Sequence, residues 1–223
     1  MVRKVMLGLF FVLGVCLTVL PLAVEAQQTA RTWRIGSFSP AGGDPALEGA
    51  FLDALRSLGY VEGNNLIVER RYAYNRPDRL PVLAAELVDL KVDLVIATGT
   101  VAPLAIKKVT ATIPVVIWSA GDPVGTGIVA SLARPGGNVT GLTIDSPELA
   151  GKRLQLLKEI LPGVARVGVI WNAVNPYSAV VLRETQEAGR VLGILIQSIE
   201  VRGPSDFDAA FDAAVKGNLL RFE

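Results

Sequence analysis

From Trp33 onward the sequence alternates between short runs of β-branched and apolar residues and longer segments in which apolar residues recur at the helical period. Gly, Pro, Asn or Asp stands at nearly every junction. Few architectures accept that pattern. Strands separated by helices imply an α/β fold with parallel strands, because a parallel neighbour is reached only through a crossover long enough to hold a helix. The runs at 34–38, 66–72, 92–97, 114–118 and 139–144 read as strands, and 45–58, 79–90, 102–110 and a short segment near 126–133 as helices. The run at 92–97 is almost wholly apolar, which suits a central strand covered on both faces. In the first helix Phe51, Leu52, Leu55 and Leu58 share a face, Asp53 and Arg56 lie outside it, and Gly59 ends it, the pattern of a helix packed on a sheet. A second series follows, with helices at 147–161, 177–192 and 205–215 and strands at 167–171 and 194–201. The joint between the series falls at 143–146. The expected division is an N-terminal α/β lobe at 27–143 and a partial second α/β lobe at 144–223, whose two strands would leave an unpaired sheet edge.

Ahead of the first strand, Arg3 and Lys4 precede an apolar run at 5–20, then Pro21 and the small-residue end Val24-Glu25-Ala26. This predicts a secretory signal peptide at 1–26, cleaved after Ala26, with a retained anchor as the alternative; the run is short for a spanning helix. Cys16, the only cysteine, follows Val15 inside the run and is poorly placed for lipid attachment. Arg3, Lys4 and Glu25 leave with the segment, which takes 22 basic and 21 acidic residues to 20 of each. No basic excess remains to favour nucleic acid. Without cysteine or histidine, the remaining chain excludes disulfides, thiolate or imidazole metal sites and every His- or Cys-dependent catalytic group. The expectation is an exported, periplasmic protein with neither metal nor cofactor.

Ligands of open parallel sheets bind beyond the carboxyl ends of the strands. The segments there are polar and glycine-rich: Ser37-Phe38-Ser39 running into Gly42-Gly43-Asp44, Thr98-Gly99-Thr100, Ser119-Ala120-Gly121-Asp122-Pro123, and Asn172-Ala173-Val174-Asn175-Pro176. Each enters a helix start, where free N–H groups and the dipole suit an anion. Thr98-Gly99-Thr100 reads equally as an anion seat or as a capped turn. Asp122 is placed to meet a ligand ammonium, or simply begins an Asp-Pro turn. Asn172 and Asn175 fit turn structure better than ligand contacts, and Trp118 and Trp171 fit core better than a stacking platform. Enzyme motifs are missing: no Gly-x-Gly-x-x-Gly follows the first strand, no phosphate loop carries its lysine, and Asp206 and Asp208 sit at a helix start where they serve the dipole.

Several longer strings carry a resemblance. Gly59-Tyr60-Val61-Glu62-Gly63-Asn64-Asn65, the segment 92–100, Gly121-Asp122-Pro123-Val124 and above all Ser131-Leu132-Ala133-Arg134-Pro135-Gly136-Gly137-Asn138-Val139-Thr140-Gly141 resemble the ABC-transporter substrate-binding proteins of the tryptophan/tyrosine-binding type. The likeness extends through Lys152-Arg153-Leu154 and 169–176 and covers roughly 33–210. It implies a periplasmic-binding-protein type I fold, two Rossmann-like lobes closing on a small solute, in a monomer that delivers to an ABC permease of the inner membrane without catalysing a reaction. Carried over, the ligand-binding set is Ser37, Phe38, Ser39, Thr98, Gly99, Thr100, Ser119, Gly121 and Asp122 from the first lobe and Asn172 and Asn175 from the second. For an amino acid, the carboxylate is expected at Thr98-Gly99-Thr100 and the ammonium near Asp122. The family pattern breaks near Lys216, so a C-terminally truncated second lobe is expected. A non-binding remnant and an enzyme on a similar scaffold are the competing readings.

Overall fold

The computed structural model describes residues 31–144, 147 and 149–217. The predicted signal peptide and part of the joint at 143–146 lie outside them. The first series forms β1 (Trp33–Ser39), α1 (Pro45–Ser57), β2 (Leu66–Tyr72), a 3-10 turn (Pro77–Arg79), α2 (Leu80–Asp89), β3 (Leu94–Thr98), α3 (Val101–Lys107), β4 (Val115–Ala120) and β5 (Val139–Thr143). All five strands pair in parallel in the order β2-β1-β3-β4-β5, so the apolar β3 is central. The α/β class with parallel strands is the one expected.

The main core lies where α2 and α3 cover this sheet. α2 buries Leu80, Leu83, Ala84 and Leu87 along one face, a spacing that follows from 3.6 residues per turn. Gly36 of β1 makes room for Leu87, since a Cβ there would come within 2.9 Å of the leucine side chain. β3 begins two residues later than its apolar run. Lys91 takes a positive φ of 53°, and the Asp93 carboxylate accepts from the Arg34 N–H at 2.8 Å, occupying a donor that a longer ladder would use.

The helix expected near 126–133 is instead a chain of turns. Gly127 has φ +77°, and the Ile128 and Val129 N–H groups both donate to the Pro123 carbonyl. The Lys107 ammonium donates to the Gly127 and Ile128 carbonyls at 2.8 Å each, so α3 fastens this segment. Glycine at 125 and 127 costs a helix more than the apolar spacing returns.

The second series forms α4 (Leu149–Ile160), β6 (Arg166–Asn172), α5 (Pro176–Leu192), β7 (Leu195–Val201), a 3-10 turn (Pro204–Asp206) and α6 (Phe207–Lys216). β6 and β7 make a two-stranded parallel sheet with Arg166 opposite Leu195 and Asn172 opposite Val201. Its buried groups are small: Leu154, Val164 and Ile194 on one side, Ile199, Val201 and Ala210 on the other. The two series touch where the Tyr177 ring at the start of α5 lies on Gly121, so closely that a Cβ at 121 would stand 2.4 Å from the ring.

Candidate functional site

Asp44 fixes where α1 begins. Its side chain accepts from the Ala46 and Leu47 N–H groups at 2.9 and 3.3 Å, with Pro45 in the first turn. α1 buries none of its residues, unlike the sheet-packing helix expected. A pocket of about 130 Å³ lies between it and the carboxyl ends of the strands. Ser37 and Ser39 of β1, Ile96 and Thr98 of β3 and Trp118 of β4 form its floor, and Leu47, Glu48 and Phe51 of α1 its roof. Tyr72, from the end of β2, closes one side beside Gly43, where a Cβ would come within 2.8 Å of the tyrosine ring. Trp118 and Phe51 meet edge to face with centroids 6.0 Å apart, and Trp118 stays 39% exposed. It is a wall of the pocket, not the core residue favoured by the sequence.

The polar part of this pocket is a small network. Glu48 accepts from the Tyr72 hydroxyl at 3.1 Å and from the Arg70 Nε, while the Ser37 hydroxyl lies 3.4 Å from the same phenol. Arg70 turns its other face to Glu62, with Nη1 and Nη2 donating at 2.7 and 3.1 Å. That fork holds Glu62 below the usual carboxylate range and raises the already high pKa of Arg70. Burial foremost, with the Glu48 charge, pushes the Tyr72 phenol up against the opposing effect of Ser37, so the phenol is protonated at neutral pH and donates.

A second cavity of about 390 Å³ lies between the two series. Pro40, Asn75, Pro77 and Val101 face Asn172, Val174 and Asn175 across it, and Arg202, Gly203 and Phe207 complete the far wall. The Asn172 Oδ1 accepts from the Val174 N–H at 3.0 Å, and the Asn175 Oδ1 caps α5 through the Tyr177 N–H at 3.1 Å. Both asparagines therefore shape the turn while lining the cavity.

The residues singled out from the sequence separate into groups. Ser37, Ser39 and Thr98 line the first pocket, and Asn172 and Asn175 the second. Phe38 is fully buried among core side chains, because alternate residues of a strand face opposite sides and its neighbours at 37 and 39 take the pocket face. Gly99, Thr100, Ser119, Gly121 and Asp122 line neither. Thr100 is 4% exposed and makes no side-chain cap; its hydroxyl accepts from the Gly121 N–H at 3.3 Å, tying the end of β3 to that of β4. Asp122 takes φ 37° and spends its Oδ1 on the Gly125 N–H at 2.9 Å. Glu48, Phe51, Tyr72 and Arg70 were not anticipated. Tyr72 was within reach of the strand-end rule, which β2 obeys as β1 and β3 do. Glu48 and Phe51 carry no mark in the sequence beyond helical spacing after a glycine-rich loop. Among the described residues no cluster of Asp and Glu could hold a metal ion, and no helix is long and apolar enough to cross a membrane.

Comparison with known proteins bears on the family and the fold. The family described as ABC transporter substrate binding protein matches residues 42–218. A tyrosine-binding protein of Clostridioides difficile (strain R20291) is 36% identical over 133 residues, which are 58% of this chain and 36% of the relative. Among solved structures, a conserved domain protein from Vibrio cholerae superposes with a TM-score of 0.74 at 29% identity. A domain from Streptococcus pneumonia in complex with L-Trp does so with 0.72 at 21%, a likeness of fold. Each superposition covers 84% of this chain and 63% of the solved one. The chain thus spans about a third of the curated relative and under two thirds of these structures. A leucine-binding protein from Thermotoga maritima superposes with a TM-score of 0.60 at 19% identity, a likeness of fold alone, that of the type I periplasmic binding proteins. The chain belongs to the ABC transporter substrate-binding proteins, a family that binds solutes and is not one of enzymes.

Proposed function

We propose that this chain is the extracytoplasmic solute-binding component of an ABC importer, capturing a small solute, an aromatic amino acid foremost, and presenting it to a permease in the inner membrane. One observation carries the reading. Above the carboxyl ends of a parallel sheet, where such folds take their ligands, Trp118, Phe51 and Tyr72 form aromatic walls around fixed polar groups. Ser37, Ser39 and Thr98 offer hydroxyls to the solute from the first lobe, and Asn172 and Asn175 face it from the second when the lobes approach. Binding by hinge closure needs no covalent step. The name of the 36%-identical relative supports the amino-acid class. Export behind the predicted signal at 1–26, a periplasmic location and a monomeric receptor belong to the same proposal.

A thermal-shift screen of the purified protein against the twenty amino acids tests it. A saturable rise in melting temperature with aromatic amino acids is expected, of a size set by concentration relative to Kd. A cooperative melt that none of them moves would overturn the amino-acid reading.

A further inference from the structure

The small pocket contains two carboxylates among its lining residues, Asp44 and Glu48, and neither lysine nor arginine. A site of that charge attracts cations and repels a ligand that is only an anion. The two carboxylates are not equivalent. Asp44 spends its Oδ1 on two N–H groups at the start of α1, whereas Glu48 is held by the Arg70 Nε, from outside the pocket, on one oxygen and by the Tyr72 hydroxyl of the pocket wall at 3.1 Å on the other. Each carboxylate oxygen accepts about two hydrogen bonds, so Glu48 keeps acceptor capacity toward the pocket. Its side chain is 23% exposed. Arg70 does not cancel this charge, because its other edge is taken by Glu62. The three side chains together carry one net negative charge.

Taking as given the solute-binding reading above, we propose that Glu48 is the residue that receives a ligand's ammonium group and that Arg70 and Tyr72 are positioning residues that set its carboxylate at the pocket wall. The ligand class is then an aromatic amino acid whose charged ammonium group is required for binding, its side chain lying toward Trp118 and Phe51. Tyr72 and Trp118 also line the pocket, and aromatic rings attract a cation. Asp122, which does not line this pocket, is not needed for this task. The ligand's carboxylate is left to the hydroxyls of Ser37 and Thr98.

Two pairs of probes separate this from a merely structural tie between α1 and β2: L-tyrosine with 3-(4-hydroxyphenyl)propionate, and L-tryptophan with indole-3-propionate. Each pair differs in the amine alone. Calorimetric titration of the unmodified protein should favour the amine of a pair. Glu48→Gln should weaken amine binding by about 30-fold, as expected when one partner of a hydrogen-bonded charge pair closed over by the ligand is neutralised, and leave the des-amino acid unaffected or tighter. Glu48→Asp, which keeps the charge, should retain the preference at lower affinity. Arg70→Gln should shrink the amine preference, and Arg70→Lys should restore part of it, which a purely structural role would not do. If Glu48→Gln keeps the preference of the unmodified protein, the assignment of Glu48 falls while the solute-binding reading stands. Equal binding of both members of a pair by the unmodified protein has the same effect. Binding of none of the four probes overturns the proposal together with the aromatic-amino-acid reading it rests on.

Discussion

The Asp93 carboxylate takes the Arg34 N–H with one oxygen and the Arg31 guanidinium with the other, and Arg31 in turn lies 3.8 Å over the Trp33 ring. The backbone N–H, with Arg31 beside it, holds Asp93 below the usual carboxylate range against the opposing effect of desolvation. A carboxylate with a lowered native pKa supports the fold fully above the ordinary range, about pH 4 to 5, and that support is lost as pH falls through the native value. Asp93→Asn should therefore lower stability at pH 7 more than at a pH well below the ordinary carboxylate range, where Asp93 itself takes up a proton. Urea unfolding at the two pH values measures this, and an equal deficit at both would show a packing effect instead. At this scale the sequence was legible only where a residue's partner is close along the chain. Asp44 announces a cap because Pro45 follows it, but nothing at 93 reveals that its partners stand at 31 and 34, and nothing at 48 reveals Arg70 and Tyr72. These pairings are made by the sheet register that sets β1 beside β2 and β3.

Elements were far more legible. Each of the seven strands lies within a residue or two of the run read from the sequence, because β-branched and apolar residues bounded by turn residues leave little choice of position. Helix starts at Asp44-Pro45 and Asn175-Pro176 were readable for the same local reason. Asp44→Ala should cost about 1 kcal/mol of stability through the lost cap, and would also loosen the roof of the pocket. Circular dichroism melts give the first effect. A melting temperature unchanged from the parent would mean that α1 is held by the Glu48 to Arg70 contact instead. The turn-rich segment 121–130 shows why one helix was misread. Apolar residues at near-helical spacing do pack there, with Ile128 and Val129 buried, but they arrive through glycine turns pinned by Lys107 and Asp122. The role of α1 was hidden for a different reason, because an apolar face says that a helix covers something and not whether a pocket lies between.

For the whole molecule, the two series differ sharply in what holds them. The first surrounds a five-stranded sheet with one extended core, and the second rests on two strands and two small apolar groups. Amides of β1, β3 and β4 should exchange far more slowly than those of β6 and β7, and uniform protection across both sheets would contradict this picture. The meeting of the series at Gly121 and Tyr177 offers a separate handle. Gly121→Ala must displace the Tyr177 ring, and small-angle scattering should record a larger radius of gyration that a second change, Tyr177→Ala, reverses. Unaltered scattering would show that the ring yields without parting the lobes. Trp118, finally, gives the protein an optical readout of its own occupancy. Its indole stands 39% exposed in the pocket wall beside Phe51, whereas the Trp171 indole is tethered to the Ser198 hydroxyl at 2.8 Å in the other sheet. A guest that expels water from that wall would move the emission of Trp118 toward the blue and leave Trp33 and Trp171 as internal standards, so filling of the pocket can be followed in real time without a label.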